Sequence, residues 1–195
     1  MRYSQSGLWD DSILCATHEQ ELHSGDDYVI DFVRDFSKIS RPHNGAFGFN
    51  VKNPKPELLV RFIHSTIWRY VVSRSGARFD LNLGPYLDRI RDYVFSGTDQ
   101  PLPAIVGRSN LRDLNGAPLE VGIPPYRQKL KDWNVWHFQI GGFDFYLKTD
   151  KRPFPAHFEP YLADKNPLIC RLIDPVDFAS VPMFQPILSN MVSRK

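Results

Sequence analysis

The chain has 195 residues, 42% of them hydrophobic and 13% aromatic, enough to bury one sizeable core. Charged residues make up 24%, an ordinary share that argues against intrinsic disorder. With 24 Lys and Arg against 22 Asp and Glu the formal charge is +2, too small to imply nucleic-acid binding by itself.

The first periodic segment is "DDYVIDFVRDFSKI", 26–39, where Tyr28, Val29, Phe32, Val33, Phe36 and Ile39 recur at helical spacing. Asp26 and Asp27 suit its start, because carboxylates there accept orphan amide hydrogens and meet the positive end of the dipole. A loop with a short strand at Phe47–Val51 follows. The clearest element is 56–74, "PELLVRFIHSTIWRYVVSR", with Pro56 in a first helical turn. It is apolar nearly all round, which predicts a helix running through the core. Ser65 is small enough for a neighbour to approach closely, Trp68 joins the packing, and Arg69 requires a buried or half-buried acidic partner. "SGAR" breaks this helix, and 82–97, "NLGPYLDRIRDYVFSG", supplies another that stops at Gly97.

Strand candidates occupy Ala104–Val106, Leu119–Ile123 and 168–173, and a short helix is expected near the end of the tail. "VWHFQIGGFDFYLKT", 135–149, reads as a hairpin turning at Gly141-Gly142. Helices thus dominate the first half and strands the second. The expected fold is α+β: a helical first half with a central buried helix at 56–74, then antiparallel strands and a hairpin. No repeat or linker interrupts the chain, so 1–195 reads as a single domain, with "GTDQPLP" near residue 100 as the boundary if there are two subdomains.

Two cysteines far apart, Cys15 and Cys170, give no disulfide framework and suggest reduced thiols. The charged N-terminus is unlike a signal peptide, and no run of about 18 apolar residues occurs. The expected setting is therefore cytoplasmic, without a membrane.

Cys15-Ala-Thr-His18 has half the spacing of a zinc knuckle, in which a thiolate and an imidazole face one metal across a tight turn. A structural zinc takes four ligands, and His23, His43 and Cys170 would reach the pair only through the fold. No G-x-S-x-G, P-loop or dinucleotide fingerprint appears, so no catalytic residue is assigned. Charge is unevenly spread. Residues 10–35 hold eight acids against Arg34 alone, while 61–78 hold Arg61, Arg69, Arg74 and Arg78 with no acid. The two segments are expected to neutralise each other, with Asp26, Asp27 or Asp31 facing Arg69. A second basic cluster, Arg127, Lys129, Lys131, Lys148, Lys151 and Arg152, is interleaved with Trp133, Trp136, Phe143 and Tyr146. Such a mixture binds single-stranded nucleic acid by stacking, and equally describes the packed core of a hairpin.

"SGLWDDSILCATHE", "DDYVIDFVRDF", "LLVRFIHSTIWRYVVSR" and "LNLGPYLDRIRDYVFSG" together resemble a poorly characterised group of bacterial proteins related to HNH endonucleases. The resemblance covers roughly the first half of the chain. It places Ser65, Trp68 and Arg69 on that group's Ser-x-x-Trp-Arg segment, and Leu83, Gly84, Pro85 and Tyr86 on its Leu-Gly-Pro-Tyr helix start. The chain begins at what would be the second knuckle half, with His18 where a cysteine is usual, and without the histidine segment of the nuclease centre. The resemblance therefore implies an accessory region lacking the catalytic centre.

The leading expectation is a non-catalytic binding or regulatory protein acting through a protein partner, set in phage–host conflict as defence or counter-defence. No cofactor is expected, zinc at Cys15 and His18 being the alternative; Asp26, Asp27, Asp31, Ser65, Trp68 and Arg69 are structural. Two other readings are a metal-dependent HNH-like nuclease using Cys15, His18 and His23 or His43, and a nucleic-acid-binding module using the 127–152 cluster. No feature sets an oligomeric state.

Overall fold

The computed structural model describes residues 13–43, 48–110, 120, 122–130, 132–154 and 156–173. Lys131, the 119–123 strand candidate except Ile123 and residues 120 and 122, and the tail from residue 174 lie outside the described residues.

Helix α1 spans Ala16–Ile39 and buries Leu22, Val29, Phe32 and Phe36. It begins ten residues before the expected start, so Asp26 and Asp27 sit in mid-helix and do not cap it. Ser24-Gly25 reads locally as a break, yet Gly25 is where α1 crosses α2: a Cβ there would lie 3.4 Å from the Leu58 carbonyl oxygen. Tertiary packing overrides the local preference against glycine. Two short strands follow, β1 (Ser40–Pro42) and β2 (Gly48–Val51), paired antiparallel.

Helix α2, Pro56–Val72, starts with a proline whose missing amide hydrogen would have been an orphan there. Leu59, Ile63 and Ile67 are fully buried along it, and His64 and Ser65 are buried with them. A five-residue helix α3, Arg74–Arg78, continues beyond Ser73, whose hydroxyl caps it by accepting from the Gly76 amide. The expected 82–97 helix is shorter and divided. Gly84 takes a left-handed φ of 56°, so helix α4 starts only at Tyr86 and runs to Arg91. A wider π-helical turn, Asp92–Ser96, then ends at left-handed Gly97.

The remaining strands are β3 (Ala104–Ser109), β4 (Ile123–Leu130), β5 (Trp133–Ile140), β6 (Phe143–Lys148) and β7 (Leu168–Ile173), with a short 3-10 turn at Ala156–Tyr161 before the last. Together they form a seven-stranded sheet in the order β1-β2-β7-β3-β6-β5-β4. Every pair is antiparallel except β3 with β7. The fold is α+β. The β5–β6 hairpin turns at Gly141-Gly142, both at positive φ, as a two-residue turn matching strand twist requires. β4 lies at a sheet edge, where Pro124, Pro125, Arg127 and Lys129 discourage pairing with another chain.

Strand alternation gives the sheet two different faces. The helices cover one. Phe143 packs edge-on against Phe32 (5.4 Å between centroids) and Phe36 (4.8 Å), while Phe145 stacks on Phe138 and meets Phe62 of α2. This core draws on residues from Leu22 to Cys170, and truncating one of its phenyl rings to alanine costs about 3–5 kcal/mol. The opposite face carries a smaller apolar cluster, Ile105, Val135, Tyr146 and Phe158, beside a row of buried polar groups.

Candidate binding cleft

Three groups of chemically capable side chains emerge, and the geometry separates them. The first is the pair in the N-terminal segment. Cys15 is the N-cap of α1, and its Sγ lies 3.3 Å from His18 Nδ1, both exposed. His18 packs edge-on against Phe95. His23 pairs with Asp27 one turn further on, and His43 meets Asn50 of β2. Among the described residues no group of three or more His, Cys, Asp or Glu side chains is placed to hold a metal ion. Cys170 is buried in the core, which pushes its thiol well above the usual range and leaves it inert.

A second group lies on the sheet face away from the helices. Asp144 Oδ1 accepts from His137 Nε2 (2.8 Å) and Gln139 Nε2 (3.2 Å), and His137 Nδ1 meets the Tyr126 hydroxyl at 2.7 Å. With His137 Nε2 donating to Asp144, its Nδ1 accepts from the Tyr126 hydroxyl. Tyr146 stacks flat on the His137 ring at 4.3 Å. Burial, with the Asp144 charge, pushes both tyrosine hydroxyls well above their ordinary range. They therefore stay protonated and act as donors, not nucleophiles. Asp144 Oδ2 and Gln139 Oε1 are buried without a hydrogen-bond partner. The row fixes the register of β4, β5 and β6; no opening onto it is part of the cleft described next.

The third group surrounds a cleft formed by the 82–86 turn and the first turn of α4 on one side and the 148–154 segment on the other. It has two adjoining lobes of about 660 and 650 Å³, both bordered by Pro85, Tyr86, Asp150, Lys151 and Arg152. Among the described residues, five cations line it (Arg89, Arg127, Lys148, Lys151 and Arg152) against two acids, Asp150 and Glu159. Local bonding shapes the 149–153 loop. Lys148 is only 3% exposed, and its ammonium donates to the backbone carbonyls of Asp150 and Arg152. Burial lowers its pKa, with the Asp150 charge opposing. Arg152 donates to the Asp150 carboxylate, which also accepts from the Arg152 and Asn134 amides. Arg152 first, and these amides with it, hold that carboxyl well below the usual range. Glu159 pairs with Lys165 at 3.6 Å. Both acids are therefore occupied.

The cations are not equivalent in consequence. Lys148 fastens the loop and Arg152 closes on Asp150. Arg89 is loosely held, 3.3 Å from the Gln100 carbonyl and 3.5 Å from Asp99, with its Nε lacking a hydrogen bond. Arg127 and Lys151 are exposed and have no acidic partner among the described residues. Lys129 is exposed on the β4 edge and does not line the cleft. The aromatics also redistribute. Trp136, Phe143 and Tyr146, read in the sequence beside the basic cluster, are buried, and half-buried Trp133 packs on Phe154 and Phe158. The half-buried rings at the cleft are Tyr86, named in the sequence only as part of a helix start, and Phe154, which the sequence reading did not select.

The structural residues of α1 and α2 form a separate ionic seam. Arg69 donates through both terminal nitrogens to the two Asp26 oxygens, at 2.9 and 2.8 Å, in a half-buried bidentate pair. Asp27 is taken by His23 and Asp31 by Arg34, so neither faces Arg69. Ser65 donates back to the Phe62 carbonyl, and Trp68 packs edge-on against Phe95 with its indole nitrogen unpartnered. His64, also missed, joins seam to cleft. Its Nδ1 bonds to the Val60 carbonyl at 2.7 Å, and Nε2 accepts from the amide of Leu102, a cleft residue, at 2.9 Å.

Compared with family models, with curated proteins and with solved structures, the chain matches none.

Proposed function

We propose that the protein is a binding module whose ligand is nucleic acid, taken into the cleft between the 82–86 turn and the 149–153 loop. One observation carries this reading: among the described residues, Arg127 and Lys151 face the cleft without a carboxylate partner, while both acids at its border are already bonded. Charges left unpaired at a concave, ring-lined surface suit phosphates flanked by bases. Lys148 supports the reading indirectly, by holding the loop that presents Lys151. Pre-ordering a binding loop removes part of the entropy cost of association.

The Leu83-Gly84-Pro85-Tyr86 turn, one of the segments behind the resemblance to HNH-related proteins, gains a role here as a cleft wall. An accessory region that grips nucleic acid without cutting it fits that resemblance. The protein-partner reading has less behind it: the large exposed apolar side chains Ile30, Val72, Phe79 and Ile140 are spread over α1, α2, the turn after α3 and β5. The test is fluorescence anisotropy with a labelled oligonucleotide of mixed sequence. Binding at low salt that weakens steeply as salt rises, and that drops in an Arg127→Gln, Lys151→Gln double variant, is expected. Absent binding at roughly 50 mM salt, where phosphate contacts are strongest, overturns it.

A further inference from the structure

Resting on that reading, we infer that the ligand enters as a single strand, one base in the first lobe and its phosphate in the second. The lobes differ in chemistry. The first has Leu102, Pro103, Phe154 and Leu162 in its walls, with Arg89, Lys148 and Glu159 at its border; the second has Asn82, Arg127, Asn134 and Thr149. Tyr86 and Lys151 border both.

A lobe with a broad apolar wall, joined to a more polar one that carries Arg127, fits a ligand whose flat apolar part and anionic part are a few ångströms apart. A nucleotide of a single strand has that form. A duplex keeps its bases stacked inside and offers only phosphates, so it leaves the apolar wall wet.

The apolar wall is built before any ligand arrives. Phe154 is held between Trp133 (5.9 Å) and Phe158 (5.6 Å) and lies under the Lys148 ammonium at 5.5 Å. Tyr86 is fixed by the start of α4 and packs against the main core. Arg89 adds a cation with slack bonding to the same lobe, suited to a base oxygen or ring nitrogen.

The experiment compares three probes on the full chain by anisotropy: a single-stranded oligonucleotide, the same strand with abasic sites throughout, and a blunt duplex. The intact strand is expected to bind about ten- to a hundredfold more tightly than either other probe, the usual range for base stacking on a protein ring. Phe154→Leu and Tyr86→Leu keep apolar bulk; each is expected to erode that margin while leaving abasic binding at the wild-type level. Arg127→Gln with Lys151→Gln is expected to weaken intact and abasic strands by the same factor. Equal affinity for intact and abasic strands, or tighter binding of duplex, overturns the single-strand inference and leaves the cleft's phosphate binding standing. Absent binding of all three overturns the proposed function and this inference with it. The probe comparison uses the wild-type protein, so a variant that fails to fold does not rescue the inference.

Discussion

The α1–α2 seam and the 82–86/149–153 cleft are both built from arginine, lysine and aspartate, and they use charge in opposite ways. In the seam each cation meets an acid from the facing helix: Arg69 meets Asp26 in a bidentate pair, and Arg61 lies 3.7 Å from Glu21. In the cleft the acid is consumed within its own loop, Asp150 by Arg152, and Arg127 and Lys151 face open volume. Charge matched across two elements holds the architecture; charge in surplus after local pairing is left for a ligand. The basic residues alone do not distinguish them, because Arg69 and Arg127 both belong to runs of cations and differ only in what the fold sets opposite them.

The largest expected effect strikes the joint between the two regions. Burial, aided by the Arg89 charge and opposed by the Val60 bond, lowers the His64 pKa from 6.5 to about 4. The unfolded ring takes its proton near 6.5 and the folded ring only near 4, so the unfolded state binds more protons in between. Stability from this group is thus complete above pH 6.5 and is lost as pH falls toward 4, by about 3 kcal/mol. Urea unfolding followed between pH 7 and pH 4 is expected to show this decline, and His64→Gln to flatten it. An equally steep decline in His64→Gln would assign the acid sensitivity elsewhere.

Next comes the seam. Arg69→Met leaves Asp26 half-buried and unpaired, at a cost of about 1–3 kcal/mol, between the values for exposed and buried pairs. Chemical denaturation should register the loss, and oligonucleotide affinity should not change. Arg127→Gln with Lys151→Gln reverses that pattern: affinity falls about tenfold, close to 1.4 kcal/mol, with an unchanged midpoint of unfolding. The smallest effect belongs to Lys129→Gln, on the β4 edge outside the cleft, where affinity is expected to move less than about twofold as the long-range field alone weakens. A Lys129 effect as large as that of the cleft pair would relocate the interface to the sheet edge.

The fold was largely legible because its signals are local. An apolar helix at 56–74 and a Gly-Gly turn between alternating runs announce α2 and the β5–β6 hairpin, and Arg69 within an apolar helix demands a carboxylate. The true start of α1 was not legible, since Ser24-Gly25 reads as a break until α2 is packed against it. The late start of α4 follows from Gly84 and Pro85, which keep the first turn of 82–97 out of the helix. The buried polar row did leave a signal: His137, Gln139 and Asp144 interrupt apolar strands at positions whose parity puts them on one face. The cleft was legible only in part: Arg127, Lys148, Lys151 and Arg152 stand out as members of the 127–152 basic cluster, but nothing local joins them to the 82–86 turn, which lies more than sixty residues from 148–154 in the chain.

The central claim is that the surplus cations of the cleft, and not those of the seam, contact phosphate. The most direct measurement is the slope of log affinity against log salt for a labelled single strand, in wild type, in Arg127→Gln with Lys151→Gln, and in Arg69→Met. Each phosphate contact contributes about 0.7 to that slope, so the double variant is expected to lower it by about 1.4 and Arg69→Met to leave it unchanged. An unchanged slope in the folded double variant, or a reduced one in Arg69→Met, would contradict the account.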